Sequence, residues 1–108
     1  MSTDQNDKAA DAAYHDAPLH ADEHALPPAD FMTLVLSLAT GATISLGDGE
    51  GPDGEKQKDL GLARHQIDLL GVLQDRTKGN LSGEEERLLN QVLFDLRMKF
   101  VEASTSTK

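Results

Sequence analysis

Hydrophobic residues recur with a helical period over the last third of the chain. In "SGEEERLLNQVLFDLRMKFVEA", residues 82–103, six apolar side chains share one face at about 100° per residue. They are Leu88, Leu89, Val92, Leu93, Leu96 and Phe100. Ser82 is a favoured N-cap residue, and Glu85, three positions later, completes a capping box. The pattern predicts a helix over about residues 82–103.

The preceding segment has the same period and predicts another helix over about residues 57–78. Its apolar residues occupy one half of the helical circumference, and its charged residues occupy the other half. The apolar set is Leu60, Leu62, Ala63, Ile67, Leu69, Leu70 and Leu73. Gly79 and Asn80 tolerate a positive φ and would end this helix. Because the connection to the next helix is short, the two helices should lie antiparallel.

A stretch without charge, "FMTLVLSLATGATISLG" at 31–47, permits two interpretations. With a period of two, Leu34, Leu36 and Leu38 would line one side of a strand in a β-hairpin. With a helical period, Phe31, Leu34, Val35, Leu38 and Ala42 share one face instead. An isolated hairpin is marginal in water and finds no other sheet here. We therefore predict a helix over about residues 30–46, with Asp30 as its N-cap and Gly47 at its end.

The segments outside these helices have compositions that disfavour packing. "GDGEGPDGE" at 47–55 is rich in glycine and acids, which predicts a flexible loop. Residues 1–30 contain seven acidic residues, one lysine and few large apolar side chains, so residues 1–28 are predicted to be disordered. The predicted fold is all-α: a small three-helix hairpin or bundle at 29–104, between an acidic N-terminal arm at 1–28 and a disordered tail at 105–108.

Composition narrows the class of protein. The 108 residues include no cysteine and no tryptophan, so disulfides, thiolate metal sites and cysteine nucleophiles are excluded. A net charge of −9 repels nucleic acid and anionic lipid. No basic segment precedes an apolar run and a cleavage site, so a secretory signal is not supported. We expect a single cytoplasmic domain that binds neither nucleic acid nor membrane and needs no cofactor.

Residues 30–103 also resemble a known family of small bacterial proteins. The segments "LARHQIDLL", "TKGNL" followed by acidic residues, and "DLRMKF" closely resemble the family called domain of unknown function 1844. His65, Gly71 and Gly83 depart from the residues usual in that family, where Gln, Glu and Pro are expected. The resemblance implies a compact helical protein of the bacterial cytoplasm. It implies no activity, ligand or catalytic residue.

Two groups of histidines are candidates for chemistry. His15, His20 and His24 lie near acidic residues in the predicted arm and form a candidate site for a divalent transition metal. His65 and Asp68 are three residues apart on the second predicted helix, a spacing compatible with acid–base chemistry. Ordering a disordered arm would oppose metal binding, and no nucleophile accompanies His65. A metal-handling or small-molecule-acting protein is therefore the alternative to a non-enzymatic one.

An excess of apolar surface is the strongest functional signal. The last predicted helix has a second apolar stripe away from its main face, and the first predicted helix is apolar around most of its circumference. A small domain buries little area, and self-association is a common remedy. We predict a non-enzymatic interaction module that forms a homodimer or larger homo-oligomer, with an unidentified protein partner as a further possibility. The predicted interface residues are Phe31, Leu34, Leu38, Phe94, Met98 and Val101.

Peripheral membrane attachment through residues 31–46 is a second alternative. A helix of that length would be about 24 Å long, short of the roughly 30 Å hydrocarbon core of a bilayer. Neither flank offers the basic or aromatic anchors that hold helices at a membrane surface. The sequence therefore favours protein contact over lipid contact for this helix.

Overall fold

The computed structural model describes residues 3–18, 26–50 and 56–106. Within these ranges the fold is all-α, as predicted, with one short antiparallel pair of strands. The elements in chain order are α1 (Thr3–Asp16), α2 (Phe31–Ser45), β1 (Leu46–Glu50), β2 (Lys56–Lys58), α3 (Leu60–Arg76) and α4 (Gly83–Ser106).

The segment without charge forms helix α2 rather than a hairpin. Asp30 is its N-cap, and the Asp30 carboxylate accepts a hydrogen bond of 2.8 Å from the backbone N–H of Thr33. This backbone hydrogen bond stabilises the charged carboxylate and lowers the pKa of Asp30 below its ordinary value of 3.8. Leu46 caps the other end, and Gly47 follows it with a positive φ of 93°. Both predicted ends of this helix are confirmed.

The prediction of a flexible loop from 47 to 55 is wrong for the first part of that segment, because residues up to Glu50 belong to strand β1. Strands β1 and β2 pair antiparallel, with Leu46 opposite Lys58 and an irregular register between Leu46 and Glu50. Residues 51–55 lie outside the described part of the chain. Because β2 takes residues 56–58, helix α3 begins at Leu60 rather than at about 57. Asp59 caps it by accepting a hydrogen bond of 3.0 Å from the Leu62 backbone.

Helices α2 and α3 lie antiparallel and close together. The Ser45 carbonyl at the end of α2 accepts a hydrogen bond of 2.8 Å from the Asp59 backbone, just before α3 begins. The buried Ser45 hydroxyl donates to Gln66 Oε1 at 3.0 Å. A Cβ added at Gly41 would lie 2.6 Å from Gln66 Nε2. Gly41 therefore leaves the space that the Gln66 side chain fills between the two helices.

The connection from α3 to α4 matches the sequence prediction. Gly79 adopts a positive φ of 83°, which ends the turn after α3. Ser82 and Glu85 form the predicted capping box: the Ser82 hydroxyl accepts from the Glu85 backbone at 3.1 Å, and the Glu85 carboxylate accepts from the Ser82 backbone at 2.9 Å. Gln74 donates to Asn90 at 2.6 Å, which pairs the end of α3 with the start of α4. The two helices are therefore antiparallel.

One hydrophobic core joins α2, α3 and α4. Its buried residues come from all three helices and from the first residue of β1. They are Val35, Ala42, Leu46, Ala63, Ile67, Leu70, Leu89, Leu93 and Leu96. The core therefore belongs to the three helices that the sequence predicted, and the last of them continues to Ser106, beyond its predicted end at about residue 103.

Within the described residues, helix α1 brings the number of helices to four, where the sequence predicted three. It lies in the segment predicted to be a disordered acidic arm, and it contains four alanines, the best helix former. Its described side chains, at residues 6–16, are all exposed. This helix is therefore stabilised by local helix propensity and by side-chain pairs within it, not by tertiary packing. One such pair is Asp11 with His15, whose side-chain atoms lie 3.2 Å apart.

Candidate interaction surface

Helix α4 presents two different apolar faces. Leu89, Leu93 and Leu96 are buried in the core. Phe94, Met98 and Val101 point away from it, with 62%, 48% and 52% of their surfaces exposed. At about 100° per residue, Met98 lies on the side of the helix opposite the core. We call Phe94, Met98 and Val101 the α4 stripe.

Charged residues of opposite sign border the α4 stripe. Asp95 and Glu102 follow Phe94 and Val101 in the chain and lie along one side of the stripe, whereas Arg97 precedes Met98 and lies along the other. All three are exposed. Among the described residues, neither Arg97 nor Glu102 forms an ion pair, whereas the neighbouring Lys99 lies 3.8 Å from the Asp48 carboxylate of β1. The charges of Arg97 and Glu102 are therefore not neutralised by an ion pair within the described fold, and the Arg97 guanidinium lies near Gly71 of α3.

The three predicted interface residues of α2 are placed differently from those of α4. Phe31 and Leu38 are partly buried and pack against the core, whereas Leu34 is exposed. Two of the six predicted residues therefore stabilise the fold of the single chain. The other four lie on the surface of two different helices, and their role in an interface stays a prediction.

Helix α3 carries a second exposed apolar set that was not predicted from the sequence. Leu62, Leu69 and Val72 are all exposed, although Leu62 and Leu69 were predicted to lie on the apolar half of this helix. Their separations of seven and three residues place them along one side, where His65 also lies. This spacing is the signal that could have separated them from the core residues Ala63, Ile67 and Leu70, since the two sets differ in position around the helix.

A shallow groove separates α3 from α4 beside the α4 stripe. The Arg64 guanidinium lies 5.8 Å from the centre of the Phe100 ring, within the range of a cation–π interaction. The groove has a volume of about 290 Å³ and is lined by Arg64, Ile67, Asp68, Arg97, Phe100 and Val101. Its open shape and mixed charges make it a border of the stripe rather than an enclosed ligand site.

Of the histidines proposed for metal or acid–base chemistry, His15 and His65 lie in the described part of the chain, on different helices. His65 is exposed on α3, on the side of Leu62 and Leu69. His15 pairs with Asp11 on α1, and His20 and His24 lie outside the described residues. Within residues 3–18, 26–50 and 56–106 there is no group of three or more metal-ligating side chains. Nothing described in the fold therefore brings a ligand set together.

Helix α2, the candidate for membrane attachment, has 15 residues and is packed against α3. In the part of the chain that the structure describes, none of the helices has the length and apolar character required to span a bilayer.

The fold and its exposed surface define a small helical domain with one core and apolar residues left on its outer faces. In a comparison with known families, residues 28–102 match the family model described as "Domain of unknown function (DUF1844)". The match covers α2, both strands, α3 and nearly all of α4. The chain therefore belongs to this family, which confirms the resemblance noted from its sequence. No curated protein and no solved structure matches the chain.

Proposed function

We propose that this protein is a non-enzymatic interaction module that works as a homodimer, or a larger homo-oligomer, in the bacterial cytoplasm. The observation that carries the proposal is the α4 stripe. Its three large apolar residues have between 48% and 62% of their surfaces exposed, at a spacing that aligns them along one helix face. Single exposed apolar residues are ordinary, whereas aligned ones are typical of a contact surface.

The core does not require the α4 stripe, which supports a role outside the folded chain. Leu89, Leu93 and Leu96 already bury the inner face of α4 against α2 and α3. Phe94 and Met98 are directed away from that contact. Apolar surface that the fold leaves unused favours association by the same effect that drives folding, since the driving force is proportional to the apolar area removed from water.

A second copy of the chain suits this surface better than a lipid surface does. Asp95 and Glu102 border the stripe and would be repelled by anionic headgroups, as would the net charge of −9. The same border includes Arg97, so two copies can place opposite charges against each other. The stripe is smaller than a standard protein interface of about 800 Å² per partner, so we expect reversible association that depends on concentration.

The test compares the solution mass of the wild type with that of two variants. Phe94→Ser combined with Met98→Ser should shift the protein toward monomer while its helical circular dichroism persists. Val72→Ser is the matched control, because Val72 has a comparable exposure of 54% on α3. The control should keep the wild-type mass at every concentration.

Two results would overturn the proposal in different ways. A wild type that stays monomeric well above micromolar concentration would exclude self-association of useful strength. A control that dissociates while the α4 variant remains assembled would move the contact from α4 to α3.

A further inference from the structure

The exposed side of α4 has the spacing of a two-stranded coiled coil. Starting at Arg87, side chains separated alternately by four and three residues lie along one seam. These are Arg87, Gln91, Phe94, Met98, Val101 and Thr105, and each of them is exposed. The seam extends over about 27 Å of helix at 1.5 Å per residue. The α4 stripe is its apolar centre, with polar residues at both ends.

The residues beside the seam occupy the positions that decide how two such helices are oriented. In a coiled coil, the residues that flank the apolar seam face those of the neighbouring helix and set partner choice and direction. Arg97 flanks the seam on one side, and Asp95 and Glu102 flank it on the other. Arg97 and Glu102 are five residues apart, the offset that joins two flanking positions across a parallel pair.

We propose that two copies of this chain associate through α4 in a parallel orientation, with Arg97 of each copy facing Glu102 of the other. The inference rests on the proposed function and adds the geometry of the contact to it. Parallel helices place the Arg97 side of one copy against the acidic side of the other. The two-fold symmetry of such a dimer forms the pair twice.

The antiparallel arrangement is disfavoured by the same charges. When two α4 helices run in opposite directions, the Arg97 side of one helix faces the Arg97 side of the other, and the acidic side faces the acidic side. With Met98 packed across from Phe94 of the second copy, the two Arg97 side chains lie close together, as do the two Asp95 side chains. Like charges facing each other oppose association, so the charge pattern selects the parallel form.

Cysteine cross-linking distinguishes the two orientations, because the natural chain has no cysteine. In the parallel form, Gln91 faces Gln91 of the second copy, so Gln91→Cys alone should form a disulfide-linked dimer under mild oxidation. In the antiparallel form, Gln91 faces Val101, and two Gln91 positions lie about 15 Å apart along the axis, too far for a disulfide. The matched experiment mixes Gln91→Cys with Val101→Cys and identifies linked peptides by mass spectrometry.

The outcomes separate this inference from the proposed function. Linkage of Gln91→Cys to itself, without mixed Gln91–Val101 linkage, supports the parallel dimer. Mixed linkage alone overturns the parallel orientation but leaves self-association through α4 in place. A wild type that is dimeric by mass, with neither linkage, overturns the contact through α4. A monomeric wild type overturns both.

Charge reversal provides an independent measurement on chains without cysteine. Arg97→Glu should weaken dimerisation on the order of tenfold, since two attractive pairs become repulsive at an exposed site. Adding Glu102→Arg to that variant restores the opposite charges and should bring the dissociation constant back to within about threefold of the wild type. Failure of the second change to restore affinity would show that these two residues do not face each other.

Discussion

Two neighbouring residues of α4 should respond to the same substitution in opposite ways. Leu93 is 1% exposed and belongs to the core, whereas Phe94, the next residue, is 62% exposed on the α4 stripe. Leu93→Ala removes buried methyl groups and leaves a cavity between three helices. We expect it to lower the free energy of unfolding by about 2 to 5 kcal/mol. That is a large fraction of the stability of a small domain.

Phe94→Ala removes a larger side chain but should cost far less. Full burial of a phenylalanine contributes about 1.5 to 3 kcal/mol, and little more than a third of the surface of Phe94 is out of water, so the loss is about 1 kcal/mol at most. Alanine is also the better helix former by about 0.5 kcal/mol. The net change in the stability of the single chain should therefore stay within about 0.5 kcal/mol.

Urea denaturation followed by far-ultraviolet circular dichroism measures both changes. The protein should be kept below micromolar concentration, because dimerisation would add to the apparent stability of the wild type. An unfolding free energy that falls equally in the two variants would mean that Phe94 is part of the core and that α4 has no spare face. A small effect of Leu93→Ala would contradict the packing of α4 against α2 and α3.

Four further predictions concern the helix ends, the glycines and the N-terminal segment. Ser82→Ala should lower the unfolding free energy by about 1 kcal/mol in urea denaturation, since it removes the N-cap oxygen of α4. Asp30 has a pKa lowered in the folded state, so its stabilisation is present above the ordinary value of 3.8 and is lost as the pH falls through the lower folded pKa. The unfolding free energy of the wild type should therefore fall relative to that of Asp30→Asn, which keeps a cap without a titrating group, when urea denaturation is repeated from about pH 6 to about pH 3. Gly79→Ala should destabilise the protein by about 1 kcal/mol, because φ is positive at this residue. Gly61→Ala should stabilise it by up to about 1 kcal/mol, because Gly61 is exposed within α3 and alanine is the better helix former. Thermal unfolding compares the two variants with the wild type. Deleting residues 1–28 should leave the thermal midpoint nearly unchanged, because the described side chains of α1 are all exposed; a fall of many degrees would show that this segment packs on the bundle.

The sequence by itself determined the features that depend on neighbouring residues. The capping box at Ser82 and Glu85, the N-cap at Asp30 and the positive φ of Gly79 all follow from local backbone chemistry. The helical period of the last two helices also follows from residues within a few turns. The family could also be predicted from the sequence, because each segment that resembles it is continuous in the chain.

Tertiary structure decided which apolar residues are covered. Phe31, Leu38 and Phe94 are all large apolar residues within helices. Phe31 and Leu38 nevertheless pack against the core, whereas Phe94 is exposed. Local periodicity gives the faces of each helix but not the neighbours that cover them. The antiparallel contact of α2 with α3 also places Gln66 beside Gly41, although the two residues are far apart in the chain. Strand β1 includes the first part of the glycine-rich segment, where local composition indicated only a loop, because it pairs with β2, which lies beyond that segment in the chain.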